Sequence, residues 1–374
     1  MILQPSIVKS NEWIRPSHWL PLPPVKEGDN KLVALFAVYD CDSNFASCIA
    51  TVNGGYTVDW GDGVIEQFAR DVQANHNYNY ADFSSQIEYN GYMQAVVRIY
   101  PTIAGNNWTW VSVCQIHPSL NIPNKYAWSN WLEIKVAGPQ LSNQRIVSME
   151  GSFKQVCNIL ESFELVGNTN ITSYYAMFML CYSLQNVKLF NKIGITSIAV
   201  MHFWNYSLLK MTEMDVSLVT TADYAYERCY NLHESINYNM PNCLNARTMH
   251  GYNYRLSKTP KYNLPLCQNH SQLFIDNKRF KIISEMDVSN SNNFADCFLG
   301  VTAMVKCGWY GGRYSISYIN NNLSRNAIVE IFNNLGTAIN TSQSINVAGN
   351  PGASQLLAED ISIATNKGYI VILS

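Results

Sequence analysis

Few residues of this sequence could do chemistry, and most of them stand in patterns that support no reaction. Residues 40–42, Asp-Cys-Asp, begin like a calcium-binding loop, but Phe45 and Thr51 occupy the places where such a loop needs Gly and Glu. His202 and His250 lie two periods apart in the repeat described below, too far to share a metal ion. No nucleophile motif and no patterned carboxylate pair occurs. We therefore expect a non-enzymatic protein with no cofactor and no metal site.

One set of tyrosines does have the chemistry of a binding surface. Four tyrosines recur at intervals of 24 residues, and each stands between a Cys or Asn and a position that accepts many residue types. A tyrosine ring offers an apolar face and a hydroxyl at low entropic cost, so an outward-facing column would suit a sugar or a neighbouring subunit. The alternative is that the rings only cover and stiffen a stack. The four residues are Tyr182, Tyr206, Tyr230 and Tyr254.

These tyrosines belong to a repeat of 24 residues. Apolar pairs two residues apart, such as Met214 and Val216, predict one short strand in each repeat. A large apolar residue recurs every 24 positions without an insertion, at Leu160, Leu184, Leu208, Leu232, Leu256 and Phe280. Three residues before each of them stands a small polar residue, Cys157, Cys181, Asn205, Cys229, Asn253 or Asn277. A buried Cys/Asn column that satisfies the loop backbone in every coil is typical of leucine-rich repeats.

The segment 176–184, AMFMLCYSL, resembles the MF-x-x-C-x-S-L core of BspA-like leucine-rich repeats. That family occurs in bacterial surface proteins and in structural proteins of tailed bacteriophages. The resemblance implies a solenoid of stacked parallel strands over residues 126–312, with a core that runs through all repeats. Later repeats depart from the pattern, at 249–252 and 273–276, which leaves the subfamily open.

The region that precedes the repeats predicts two further elements. Residues 1–30 are rich in Pro and Trp and predict an extended arm. Trp13 and Trp19 in that arm need burial, either on the chain's own domain or as an assembly anchor on another subunit. Residues 31–125 contain β-branched and aromatic runs, which predict strands. The WGDG turn at 60–63 and the H-x-Y at 76–78 resemble an immunoglobulin-like module of the PKD type, although the full Trp-Asp-Phe version is missing.

Residues 313–374 break the 24-residue period and predict a unit that caps the solenoid. Ser324 is a candidate helix N-cap and Gly336 a candidate stop. The predicted fold class is therefore mainly β with short helices: an Ig-like β-sandwich, a leucine-rich-repeat solenoid and an α/β C-terminal cap.

Composition and sequence pattern restrict the expected partners, the expected export or membrane insertion, and the expected state of the cysteines. Charged residues make up 14% of the chain and the net charge is -2, without a Lys/Arg run, which argues against nucleic acid or an acidic membrane. The chain begins without the pattern of a signal peptide, and no apolar stretch suits a transmembrane segment. The ten cysteines lack CxxC spacing and predict reduced core thiols. Two pairs one repeat apart, Cys157/Cys181 and Cys243/Cys267, keep the disulfide alternative open.

The two resemblances imply a structural or surface protein of a tailed-bacteriophage virion, as a tail, fibre or baseplate component that recognises the host through the repeat surface. The expected partners are other virion proteins, reached through the arm and the Ig-like module, and a host-surface glycan or protein. We expect an oligomer in the assembly. The alternatives are a capsid decoration protein, a bacterial cell-surface adhesin and, with least support, a carbohydrate hydrolase.

Overall fold

The computed structural model describes residues 12–42, 44–119, 127–142, 145–148, 155–189 and 194–374. The protein is mainly β, with 7% helix and 27% strand, and its strands form several small sheets. The chain divides into two compact units. Unit 1 comprises Met1–Lys192 and Asn205–Thr212, and unit 2 comprises Ile193–Trp204 and Glu213–Ser374. In the described residues no helix has the length and apolarity that crossing a membrane requires.

Unit 1 is built from strands and one short 3-10 helix, Tyr80–Phe83. The first six strands are β1 Lys31–Tyr39, β2 Phe45–Val52, β3 Tyr56–Asp59, β4 Ile65–Phe68, β5 Ala74–Asn77 and β6 Tyr92–Pro101. The next six are β7 Trp108–Ser112, β8 Ala127–Trp128, β9 Trp131–Ala137, β10 Gln155–Val156, β11 Ser162–Leu165 and β12 Asn186–Leu189. They form a seven-stranded sheet in the order β12-β11-β9-β1-β6-β3-β4, a three-stranded sheet β5-β2-β7 and the pair β10-β8.

Strand β1 is the centre of the large sheet. It pairs antiparallel with β6 on one side and with β9 on the other. Its residues 32–38 are fully buried, as expected for a strand whose two faces are both covered. Phe36 in this strand contacts Trp131 edge-on at a centroid distance of 4.9 Å and Tyr78 at 5.0 Å. The apolar core of unit 1 lies around this strand.

The predicted fold class, an Ig-like sandwich followed by a leucine-rich-repeat solenoid and an α/β cap, is wrong. In the part of the chain that the structure describes, the strands form several small sheets rather than one solenoid. In unit 1, β9 continues the edge of β1, and β11 and β12 then add in parallel, so strands from both sides of residue 125 share one sheet. The physical reason is that the N–H and C=O groups of an open sheet edge need partners, which the following strands supply.

Unit 2 contains short parallel strands and two helices. The strands are β13 Tyr238–Asn239, β14 Tyr262–Asn263, β15 Ile282–Asp287, β16 Lys306–Tyr310, β17 Ile316–Ser317, β18 Ser344–Asn346 and β19 Ile370–Ile372. They form the sheets β13-β14, β15-β16 and β17-β18-β19, all parallel. The helices are α1 Arg325–Asn334 and α2 Ala358–Thr365, with a 3-10 helix at Ala353–Gln355. Tyr238 pairs with Tyr262, so the register offset equals the 24-residue period.

Between these strands, the repeats of unit 2 contact each other through alternate backbone amides. In the stretch 198–204, every second backbone amide donates to a carbonyl of 221–227. The next three repeats bond in the same way, 222–228 to 245–251, 246–252 to 269–275 and 270–276 to 293–299. The N–O distances lie between 2.8 and 3.3 Å. Intervening amides close local turns, for example from Met201 to Ile198 at 3.1 Å. Val200 and Trp204 have positive φ, as do their equivalents in the next repeats. Because positive φ interrupts extended backbone, the pairing here stops at single bridges.

The end of the chain packs two helices against a three-stranded sheet. The Ser324 hydroxyl accepts a hydrogen bond from the amide of Ala327 at 3.3 Å and caps the start of α1. The Lys367 ammonium donates to three carbonyls near the end of the same helix, at Phe332, Asn333 and Leu335. These groups would otherwise lack partners, so the lysine stabilises the helix terminus.

Candidate interaction surface

The asparagines of the repeat hold consecutive repeats together from inside unit 2. Asn253 Oδ1 accepts from the amide of Cys229 at 2.9 Å, and Asn277 Oδ1 accepts from the amide of Asn253 at 2.9 Å. The Nδ2 group of Asn277 donates to the carbonyls of His250 and Phe274. Buried amides of this kind satisfy loop backbone that would otherwise be orphaned. The Cys/Asn column and the large apolar residue three positions after each of its members are buried. The residues of the column are Cys157, Cys181, Asn205, Cys229, Asn253 and Asn277, and the apolar residues are Leu160, Leu184, Leu208, Leu232, Leu256 and Phe280.

All ten cysteines are free thiols, and only Cys41 is exposed. Burial raises the pKa of Cys181 above its usual range, and desolvation has the same effect on Cys157. Cys157 and Cys181 therefore stay protonated and serve as small core residues.

The predicted tyrosine column forms two stacked pairs, one in each unit. Tyr182 and Tyr206 in unit 1 lie parallel, with centroids 4.9 Å apart and planes 9° apart. Tyr230 and Tyr254 in unit 2 lie 4.9 Å and 7° apart. Because each ring covers the face of its neighbour, a sugar ring has no free face to stack on between them. The edges and hydroxyls are what such stacks present.

A second column, which the sequence analysis missed, lies on unit 2. The Arg228 guanidinium is sandwiched between Trp204 and Tyr252, 4.9 Å from the centroid of each ring. Arg228 Nε also donates to the neighbouring Glu227 carboxylate at 3.3 Å. Burial raises the pKa of Glu227, and Arg228 counteracts that effect. The signal was present in the sequence, since these three residues also recur at 24-residue spacing, but their types differ.

The two columns of unit 2 interact electrostatically. Burial raises the pKa of Tyr254, Tyr230 raises it further, and the Arg228 cation opposes these effects. The Lys278 ammonium lies over the Tyr254 ring, 5.9 Å from its centroid. We call the set Trp204, Arg228, Tyr252, Tyr230, Tyr254 and Lys278 the aromatic-cation surface. Its rings and cations are half-buried or exposed, so it offers ring edges, hydroxyls and positive charge to a partner.

A third column of stacked rings lies inside unit 2, and its histidines do not titrate near pH 7. Tyr226 is stacked between His202 and His250, with centroids 5.6 and 5.5 Å apart. Desolvation lowers the pKa of both histidines to about 3, so both are neutral near pH 7. The intervening ring keeps them apart, as expected from their spacing. Among the residues that the structure describes, no group of three or more His, Cys, Asp and Glu could hold a metal ion.

The WGDG and H-x-Y segments meet around the hairpin between β3 and β4. The His76 ring stacks on Trp60 at a centroid distance of 4.8 Å, and its Nε2 bonds to Asp62 Oδ2 at 2.6 Å. The Tyr78 hydroxyl donates to the Trp60 carbonyl at 2.8 Å. Gly61 has φ 84°, and a Cβ there would lie 2.5 Å from the Val96 carbonyl oxygen, so only glycine fits. The motif holds a turn in place and presents no nucleophile.

The tryptophans of the N-terminal arm pack on the chain's own unit. Trp19 is 4% exposed, and its Nε1 donates to the Tyr92 hydroxyl at 3.0 Å. Trp13 Nε1 donates to Glu161 Oε2 at 3.2 Å. This packing agrees with the interpretation in which the two rings are buried on the chain's own domain. A role as an assembly anchor stays a prediction, and it would require Trp19 to leave its pocket.

Searches against protein-family models, curated proteins and solved structures find no match for this chain.

Proposed function

We propose that this chain is a non-enzymatic structural protein of a tailed-bacteriophage virion, a component of the tail, fibre or baseplate that contacts its partner through the aromatic-cation surface. The observation that supports this function is the sandwich of Arg228 between Trp204 and Tyr252, next to the stacked pair Tyr230 and Tyr254. These side chains restrain each other before any partner arrives. A preorganised surface loses little conformational entropy on binding.

The composition of the surface supports a protein or glycan partner. Aromatic residues and arginine are enriched in protein-protein interfaces, where they carry much of the binding energy. Tyrosine hydroxyls and ring edges also suit the hydroxyl groups of a glycan. Because stacking covers the inner faces of the Tyr230 and Tyr254 rings, we expect the ring edges and hydroxyls to make the contact.

The test is to identify this chain in intact particles. Virions purified by density gradient are analysed by mass spectrometry, and antibodies against the chain are used for immunogold labelling. We expect the chain to copurify with particles and the label to decorate tails. Label on the capsid shell would assign it to capsid decoration instead. Absence from particles, together with label on a bacterial envelope, would favour the adhesin and reject this proposal.

A further inference from the structure

A polar groove of about 290 Å³ crosses three consecutive repeats of unit 2. None of its lining residues belongs to the aromatic-cation surface, and none of the motifs discussed above accounts for it. The groove approaches the size of a site that holds one small ligand. Its lining residues are Arg247, Asn269, Ser271, Gln272, Asn293 and Ala295.

The amide side chains in this groove have their acceptor ends engaged by the protein. Asn269 Oδ1 accepts from the amide of Ser271 at 3.0 Å, and Asn293 Oδ1 accepts in the same way from the amide of Ala295 at 3.1 Å. Gln272 Oε1 accepts from the Thr248 hydroxyl at 3.3 Å. In the described part of the chain no hydrogen bond uses the NH2 groups of these three side chains. An amide with its oxygen occupied offers a ligand mainly donors, so the groove is donor-rich.

Arg247 adds one positive charge to these donors. Its guanidinium lies over the Tyr224 ring, 5.2 Å from the centroid, which orients the side chain while leaving it exposed. In the part of the chain that the structure describes, no carboxylate forms an ion pair with Arg247. The Asp223 carboxylate one repeat earlier accepts from the Thr221 hydroxyl at 2.6 Å. Burial raises the pKa of Glu227, and the Arg228 and Arg247 cations oppose that effect. An arginine that makes no direct ion pair, beside neutral donors, is suited to one carboxylate.

We propose that this groove binds the carboxylate of an acidic saccharide, with Arg247 on the carboxylate and the amides of Asn269, Gln272 and Asn293 on the adjoining oxygens. Arg247 is the only charged residue in the lining, so the groove supplies one positive charge, which a single carboxylate matches. Neutral amide donors along the groove match the hydroxyl and ring oxygens of a sugar. The proposal does not depend on the virion assignment, because it concerns binding by the isolated chain.

The probe is trigalacturonate, titrated into the full chain by isothermal titration calorimetry, with its methyl ester and inorganic phosphate as comparison ligands. We expect trigalacturonate to bind, and the ester and phosphate to bind at least tenfold more weakly, because a charge-assisted hydrogen bond is lost or mismatched. Arg247→Gln should weaken trigalacturonate binding at least tenfold. Arg279→Gln removes another exposed arginine outside the groove and should leave the affinity unchanged.

A second variant separates the donor role of the amides from their structural role. Asn269→Asp keeps the oxygen that accepts from Ser271 and replaces the NH2 donor by a negative oxygen. We expect it to abolish binding while the melting temperature stays close to that of the parent. If this variant fails to fold, the affinity of Arg247→Gln for trigalacturonate still tests the proposal, because that side chain is exposed. Absence of trigalacturonate binding, equal binding of the ester, or equal losses in Arg247→Gln and Arg279→Gln would overturn the proposal. Tighter binding of phosphate would reject the saccharide as the ligand.

Discussion

The two units satisfy their backbones in different ways. In unit 1, β1 and β6 pair over eight residues, from Leu32 opposite Ile99 to Tyr39 opposite Tyr92, and regular ladders carry most of the hydrogen bonding. In unit 2, β13 and β14 pair over only two residues. The other sheets of unit 2, β15-β16 and β17-β18-β19, pair over two to four residues. Between 197 and 299 the repeats contact each other through alternate amides, single bridges and buried asparagine side chains. A long ladder spreads its stability over many equivalent bonds, whereas in unit 2 single asparagine side chains carry part of the contact between repeats.

The cores of the two units differ in the same sense. Around β1 most buried side chains are aliphatic or aromatic, such as Leu35 and Phe36, and the buried Glu133 carboxylate is paired with Arg15. The core of unit 2 also buries the imidazoles of His202, His250 and His270, each with its pKa lowered to about 3 by desolvation. A neutral imidazole packs well in an aromatic stack, but it makes the fold sensitive to acid. Unit 2 should therefore respond more strongly to pH and to single polar substitutions.

The largest effect that we expect is destabilisation of unit 2 by mild acid. In the unfolded chain a histidine takes up a proton near pH 6.5, whereas these three take none up until about pH 3. The stability they confer is therefore present above pH 6.5 and is lost as the pH falls below it. At pH 5 the loss amounts to about 2 kcal/mol for each histidine. Hydrogen exchange followed by mass spectrometry at pH 7 and pH 5 would locate the loss in unit 2.

His250→Phe tests the origin of this acid sensitivity. Phe274 occupies the equivalent position one repeat later, so the site accepts a phenyl ring. The variant should lose about 2 kcal/mol less than the parent between pH 7 and pH 5, in urea unfolding followed by circular dichroism. Tyr226→Phe is the control, since burial raises the pKa of that phenol and it does not titrate in this range. An unchanged pH dependence in His250→Phe would contradict the assignment.

The next effect concerns the buried asparagines. Asn277→Ala removes the acceptor for the Asn253 amide and the donor to the carbonyls of His250 and Phe274. Leaving buried backbone groups without partners should lower the free energy of unfolding by about 3 kcal/mol. Asn242→Ala removes a single exposed bond to the Ser217 carbonyl and should cost less than about 1 kcal/mol. Equal losses in the two variants would show that the buried column does not hold the repeats together.

The sequence predicted local neighbours better than it predicted the sheets. The 24-residue interval places Tyr230 beside Tyr254 and Asn253 beside Asn277, because a regular period needs no long-range information. The addition of β9 to the edge of β1 joins segments about a hundred residues apart in sequence, and no local pattern specifies such a pairing. The positive φ angles were hidden too, because non-glycine residues such as Val200 adopt them.

The sequence also predicted only part of the candidate surface. The tyrosines were visible because one residue type repeats, whereas Trp204, Arg228 and Tyr252 form their sandwich from three types. The groove around Arg247 depends on which end of each amide side chain is hydrogen-bonded, and that depends on the three-dimensional packing. Residue identity at a fixed interval was thus readable, and side-chain direction was not.

The smallest effect that we expect uses a feature common to both units, the stacked tyrosine pair. Tyr182→Ala in unit 1 and Tyr254→Ala in unit 2 each remove one ring from a parallel stack, which should cost about 1 kcal/mol in urea unfolding. Tyr254→Phe keeps the stack and removes only the hydroxyl, so its stability should equal that of the parent. Similar losses in the two alanine variants would mean that the stack contributes alike on either framework. A loss of several kcal/mol in unit 2 alone would show that its short pairings depend on the aromatic column, and would extend the contrast between the units to their surfaces.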